Sequence, residues 1–149
     1  MIKLRKVFVT ASLVGGLVSL GGGTAFAYDW GSSSSPLMVY QNGASGGTLQ
    51  GKGYGGVTVN SSSAVLVSYL ADMTLDDGRT YANLRATSST KGTANKESGR
   101  RSDGGNTFAR MSDQTLSLSN SSIFYAFYVK ICQDKSFSGD PCSNEVRAG

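Results

Sequence analysis

The chain contains no histidine. That absence removes the usual general base near neutral pH, and with it every Ser-His-Asp or Cys-His nucleophile arrangement. Cysteine is nearly absent as well. Cys132 and Cys142 are the only two, so no second cysteine pair completes a thiolate metal site. Neither a metal nor a cofactor is expected. Paired carboxylates of the kind glycosidases use reduce to Asp72, Asp76 and Asp77. Asp76-Asp77-Gly78 reads better as a turn, and no spacing points to a Ser-Lys dyad. Gly51-Lys52-Gly53-Tyr54-Gly55-Gly56 resembles a phosphate loop only loosely, because no helix pattern follows it. It reads as a flexible bend or an edge strand. No catalytic residue is assigned, and the chain is expected not to be an enzyme.

What the chain does have begins at its first residue. Lys3, Arg5 and Lys6 precede an apolar run, Val7 to Leu20, and Ala25-Phe26-Ala27 closes the stretch. A basic start, a short apolar middle and an A-x-A end make a secretory signal peptide over residues 1–27, cut after Ala27. The apolar run is too short and too rich in glycine, serine and threonine to span a bilayer stably, and no later segment is long enough. Removing 27 of 149 residues leaves 122, enough for one modest core. Three of the 14 basic residues leave with the leader, so the net charge falls from +4 to +1. Nucleic-acid binding inferred from the high pI would therefore be an artefact of the leader. The expected location is extracellular.

Two cysteines in a small exported chain read as one disulfide, Cys132–Cys142. Between the leader and that pair the chain reads as strands and turns. Leu37–Tyr40, Val57–Val59, Ala64–Leu75, Arg79–Thr87, Phe108–Met111, Thr115–Leu118 and Ile123–Cys132 are the expected strands. Val65, Val67, Tyr69 and Ala71 share one face of the third, with Leu66 and Leu70 on the other. Ala82, Leu84 and Ala86 point inward on the fourth. Ile123, Tyr125, Phe127, Val129 and Ile131 line one face of the last. Asp77-Gly78 is expected to close a hairpin between the third and fourth. Residues 88–105 are polar and expected to be the least ordered interior stretch. The fold class is all-β: a single small antiparallel β-sandwich, immunoglobulin-like, over residues 37–149.

Residues 28–36 remain. Tyr28, Asp29 and Trp30 are followed by Gly31, four serines and Pro36. This composition reads as a flexible N-terminal extension, with Tyr28, Asp29 and Trp30 as a partner-binding anchor; the alternative reading folds Trp30 back onto the domain.

Asp77-Gly78-Arg79-Thr80-Tyr81-Ala82-Asn83-Leu84-Arg85, and the ending Tyr125–Cys132 through Asp140-Pro141-Cys142, resemble small exported β-domain proteins of actinobacteria such as Streptomyces. Within that group the chain is most similar to the adaptor subunits of umbrella toxin particles. The resemblance implies a scaffold joining a large repeat-bearing toxin protein to lectin-like subunits. In such adaptors the N-terminal extension inserts into the lectin-like partner. Two other readings compete. One is an inhibitor of an extracellular hydrolase that presents the Cys132–Cys142 loop, with Lys135 as its recognition residue. The other is a stand-alone toxin or envelope-associated protein using the aromatic strand around Phe124.

Overall fold

Alternating apolar residues and frequent turn residues leave this chain one way to bury its core, sheet against sheet. A computed structural model describes residues 26–75, 78–118, 125–135 and 139–148, and among them there is no helix. The elements are β1 (Phe26–Asp29), β2 (Leu37–Tyr40), β3 (Leu49–Val59), β4 (Ser63–Asp72) and β5 (Arg79–Ser88). They continue as β6 (Gly92–Glu97), β7 (Ala109–Arg110), β8 (Gln114–Ser117), β9 (Ala126–Asp134) and β10 (Val146–Arg147). Two antiparallel sheets result. One runs β1-β3-β4-β7, with β2 also on β3 and β8 also on β4; the other runs β10-β9-β5-β6.

The chain changes sheet between β4 and β5, between β6 and β7, and between β8 and β9. Taking β3, β4 and β8 as A, B and E, and β5, β6, β9 and β10 as C, C′, F and G, the sheets read A-B-E and C′-C-F-G. This is the strand order of an immunoglobulin-like sandwich. The core lies between β3 and β4 on one side and β5 and β9 on the other. Ala82, Leu84 and Ala86 of β5, and Phe127, Val129 and Ile131 of β9, are buried there as their period of two predicts.

Several expectations need correction. Residues 28–36 are not a free extension. Tyr28 pairs with Val57 and Asp29 with Gly56. Trp30 N–H donates to Gly55 O at 3.0 Å, and the indole is only 3 % exposed, inside the core. The serines close a turn in which Ser32 and Ser35 exchange backbone hydrogen bonds. A single tryptophan without periodic apolar neighbours looks solitary in sequence; the core residues it joins lie on other strands, Val57 of β3 and Leu66 of β4 among them.

The glycine-rich run is neither a bend nor an edge. It is the interior of β3, flanked by β4 on one side and by β1 and β2 on the other. A Cβ on Gly53 would lie 2.7 Å from Leu70 Cδ2 and 2.8 Å from Ile131 Cδ1. These glycines face the core, and neighbouring large side chains fill the space they leave. On β4 the buried face carries Ala64, Leu66, Ser68 and Leu70, while Val65, Val67 and Tyr69 are half-buried on the outer side. Asp76 and Asp77 lie outside the described residues. The strands that Asp77-Gly78 was expected to join as a hairpin belong to different sheets. Within 88–105, β6 pairs with β5 from Asn83↔Glu97 to Ser88↔Gly92. Gly92 takes a φ of 74° at that turn, a left-handed conformation natural to glycine. The β3–β4 turn depends on Asn60, whose Oδ1 accepts from Ser62 N (3.1 Å), Ser63 N (2.8 Å) and Ser63 Oγ (2.9 Å).

Cys132 and Cys142 form the expected disulfide. They face each other as an antiparallel cross-strand pair with Cα atoms 4.1 Å apart. Hydrogen bonds from Gln133 N to Pro141 O and from Ser143 N to Ile131 O flank the bridge. The return strand carries one extra residue between Cys142 and Val146 relative to β9. Ser143 Oγ accepts from Ile131 N at 3.0 Å next to this irregularity.

Candidate interaction surface

Each sheet has an outer face, and the two differ in chemistry. On the four-stranded sheet, β5 turns Tyr81 and Arg85 outward beside Tyr128 of β9. Arg85 forks onto Glu145, with Nε–Oε1 at 3.0 Å and Nη2–Oε2 at 2.7 Å, and lies 4.3 Å over the Tyr128 ring. The Arg85 hydrogen bond holds the Glu145 carboxyl below its usual range, against the opposing effect of burial. Arg100 bonds Asp134 at 2.7 Å and Glu97 at 3.0 Å, and covers the Tyr81 ring at 4.7 Å. Tyr81 is 5 % exposed and its hydroxyl donates to Asp140 at 2.8 Å. Burial, and then the hydrogen bond to Asp140, push this phenol well above its ordinary pKa. Arg85 and Arg100 on this face are thus each engaged by carboxylates and an aromatic ring.

The outer face of the six-stranded sheet is different. The odd-even pattern of β3 sends Gly51, Gly53 and Val57 inward and Lys52 and Tyr54 outward. Register then places Tyr69 opposite Tyr54, and Met38 opposite Lys52. Tyr54 and Tyr69 stack with centroids 4.9 Å apart and planes 5° apart. Phe108 meets Tyr54 edge-on at 4.8 Å, and Lys52 Nζ sits 5.1 Å from the Phe108 centroid. Tyr40 donates its hydroxyl to Met38 Sδ at 3.4 Å, and Met38 is 39 % exposed. Lys52 forms no ion pair among the described residues. Three aromatic rings, a methionine, a tyrosine and an uncompensated lysine therefore share one half-buried face. Aromatic and methionine side chains of this kind are enriched at protein–protein interfaces.

The expected anchor fares differently residue by residue. Asp29 is exposed, Tyr28 is partly buried against the core and Trp30 is in it. The three do not form an accessible cluster. Lys135, the recognition residue of the inhibitor reading, directs Nζ to Gln50 Oε1 at 2.6 Å. The rest of that loop, residues 136–138, lies outside the described residues, as does Phe124. Among the described residues no group of three or more His, Cys, Asp or Glu could hold a metal. None of their helices is long and apolar enough to cross a membrane.

The aromatic face was not singled out from sequence. Its signal was available in the alternation Gly51-Lys52-Gly53-Tyr54, where one parity is glycine and the other is large. No protein-family model, curated protein or solved structure matches the chain.

Proposed function

We propose that the chain is a secreted, non-catalytic adaptor that binds another protein through the outer face of its six-stranded sheet. One observation carries this reading. The six-stranded face gathers Tyr54, Tyr69, Phe108 and Met38 around Lys52, which has no ion pair among the described residues, whereas Arg85 and Arg100 on the four-stranded face are held by Glu145, Asp134 and Glu97. The disulfide fits an oxidising compartment, in keeping with the leader. On the resemblance to umbrella-particle adaptors, the partner is a subunit of an extracellular antibacterial toxin assembly: the large repeat-bearing protein or a lectin-like subunit.

Capture from culture supernatant tests the proposal. Tyr54→Ala combined with Tyr69→Ala should weaken partner binding by about thirtyfold or more, the effect of removing a central aromatic anchor. Arg85→Ala on the opposite face should leave binding within a few-fold. Equal capture by the wild type and the double variant would remove this face as the docking surface.

A further inference from the structure

At the pole of the sandwich where β3 begins and β4 ends, three polar side chains are fully enclosed. Asp72 ends β4, Thr80 begins β5 and Gln133 lies near the end of β9, and each is 0 % exposed. Thr80 and Gln133 are direct cross-strand partners. The Thr80 amide bonds Arg101 and the Gln133 amide bonds Pro141, both away from their shared ladder. The two residues therefore form a non-hydrogen-bonded pair, the closer of the two antiparallel types. Thr80 Oγ1 stands 2.8 Å from Gln133 Oε1 and 3.5 Å from Asp72 Oδ1. With a C=O bond of about 1.2 Å, the amide carbon is no more than about 4 Å from that hydroxyl oxygen. Gln133 Nε2 has no hydrogen-bond partner among the described residues. Gly51 faces this group, and a Cβ there would collide with the Thr80 side chain. The glycine on the opposing sheet is what gives the threonine room.

We infer that Thr80 and Gln133 are the site of an internal ester cross-link, made with Asp72 as the proton carrier. Thr80 Oγ1 attacks the side-chain amide carbon of Gln133. The O–C bond forms, the C–N bond breaks and ammonia leaves. The hydroxyl proton passes to the Asp72 carboxylate and from there to the departing nitrogen. No oxidant, reductant or co-reactant is required. A hydroxyl nucleophile is activated by an adjacent general base, and Asp72 Oδ1 is the basic group 3.5 Å from Thr80 Oγ1. Enclosure without solvent protects the product from hydrolysis. The link would tie β5 to β9 one residue from the disulfide, so that one end of the four-stranded sheet is held by two covalent bonds.

Mass spectrometry of the purified full chain tests this. The wild type should weigh less than its sequence by one ammonia, beyond the two hydrogens of the disulfide. A peptide map should join the Thr80 and Gln133 peptides, and hydroxylamine, which cleaves esters, should separate them. Thr80→Val should keep the full mass, and Asp72→Asn should lose the cross-link in most molecules. A wild-type chain at full mass would overturn the inference, whether or not the variants fold. So would an ammonia loss mapped elsewhere, either to a succinimide at Asn42-Gly43 or to a hydroxylamine-stable amide between Lys135 and Gln50.

Discussion

Replacing Trp30 with alanine separates the structure from the expectation that this residue belongs to a free tail. The indole is 3 % exposed and packs with Val57, Leu66 and the other core residues, and its own N–H backbone group extends the β1–β3 ladder to Gly55. Removing a buried tryptophan side chain costs about 3–5 kcal/mol, from lost transfer energy and the cavity left behind. Against a total of about 5–15 kcal/mol for a domain, that is about a fifth of the stability or more. At roughly 4 °C per kcal/mol for a domain of this size, the melting temperature should fall by about 12–20 °C. Trp30→Phe retains an aromatic ring and should cost less. The assay is thermal unfolding by far-UV circular dichroism. As the sole tryptophan, Trp30 also reports its own environment. Its emission should be blue-shifted in the native protein and move to longer wavelength in denaturant. A shift in melting temperature below about 4 °C, together with native emission at the denatured position, would refute the packing and restore the tether.

Two further outcomes follow from the opposite face and the C-terminal loop. Tyr81 is held neutral above its ordinary range near 10 by burial and by Asp140, so its stabilising effect is complete below that pH and declines as pH rises beyond it. Stability of the wild type should drop above pH 10 more steeply than that of Tyr81→Phe, and matching pH profiles would contradict the assignment. Replacing Cys132 and Cys142 together with serine should cost about 3 kcal/mol on the loop-entropy model, measured by urea unfolding of both chains. A double variant as stable as the wild type would mean that the flanking hydrogen bonds alone define this turn.

What the sequence revealed depended on whether a segment buried large residues on one face. β5 and β9 did, with Ala82-x-Leu84-x-Ala86 and Phe127-x-Val129-x-Ile131, and their buried faces were readable, whereas their pairing with each other was not. The disulfide was readable because a chain with only two cysteines allows a single intrachain pairing. β3 was not, because its inward positions are glycine and its hydrophobic content comes from Leu70 and Ile131 on neighbouring strands. The same cause hid the aromatic face: Tyr54 becomes significant only when register places Tyr69 beside it. Whether Trp30 was free or packed stayed open for a related reason. Periodicity detects a strand's own pattern, whereas a single anchor inserted beside a glycine-rich partner has none. The sheet exchange after β4 is likewise a long-range property, and Asp-Gly at the junction described only a local turn preference.

The expected cut after Ala27 bears on the fold in a way that can be measured. A cut after Ala27 falls inside β1, between Ala27 and Tyr28. Trp30 N donates to Gly55 O, and antiparallel pairs alternate, so Tyr28↔Val57 and Phe26↔Val59 are the hydrogen-bonded pairs of this ladder. Cleavage at Ala27 removes the outer pair and keeps the inner one. Two backbone hydrogen bonds at about 0.5–1.5 kcal/mol each place the loss at about 1–3 kcal/mol. The Val59 amide should then exchange with solvent as fast as an open strand edge, while the Val57 amide stays protected by Tyr28. Comparing amide exchange in chains beginning at Ala25 and at Tyr28 reads this directly. Equal protection of Val59 in both would show that β1 contributes nothing upstream of Tyr28, and that export leaves the sheet edge unchanged. Faster exchange confined to Val59 would show that a cut at Ala27 opens the β3 edge while Trp30 keeps the rest of the strand in place.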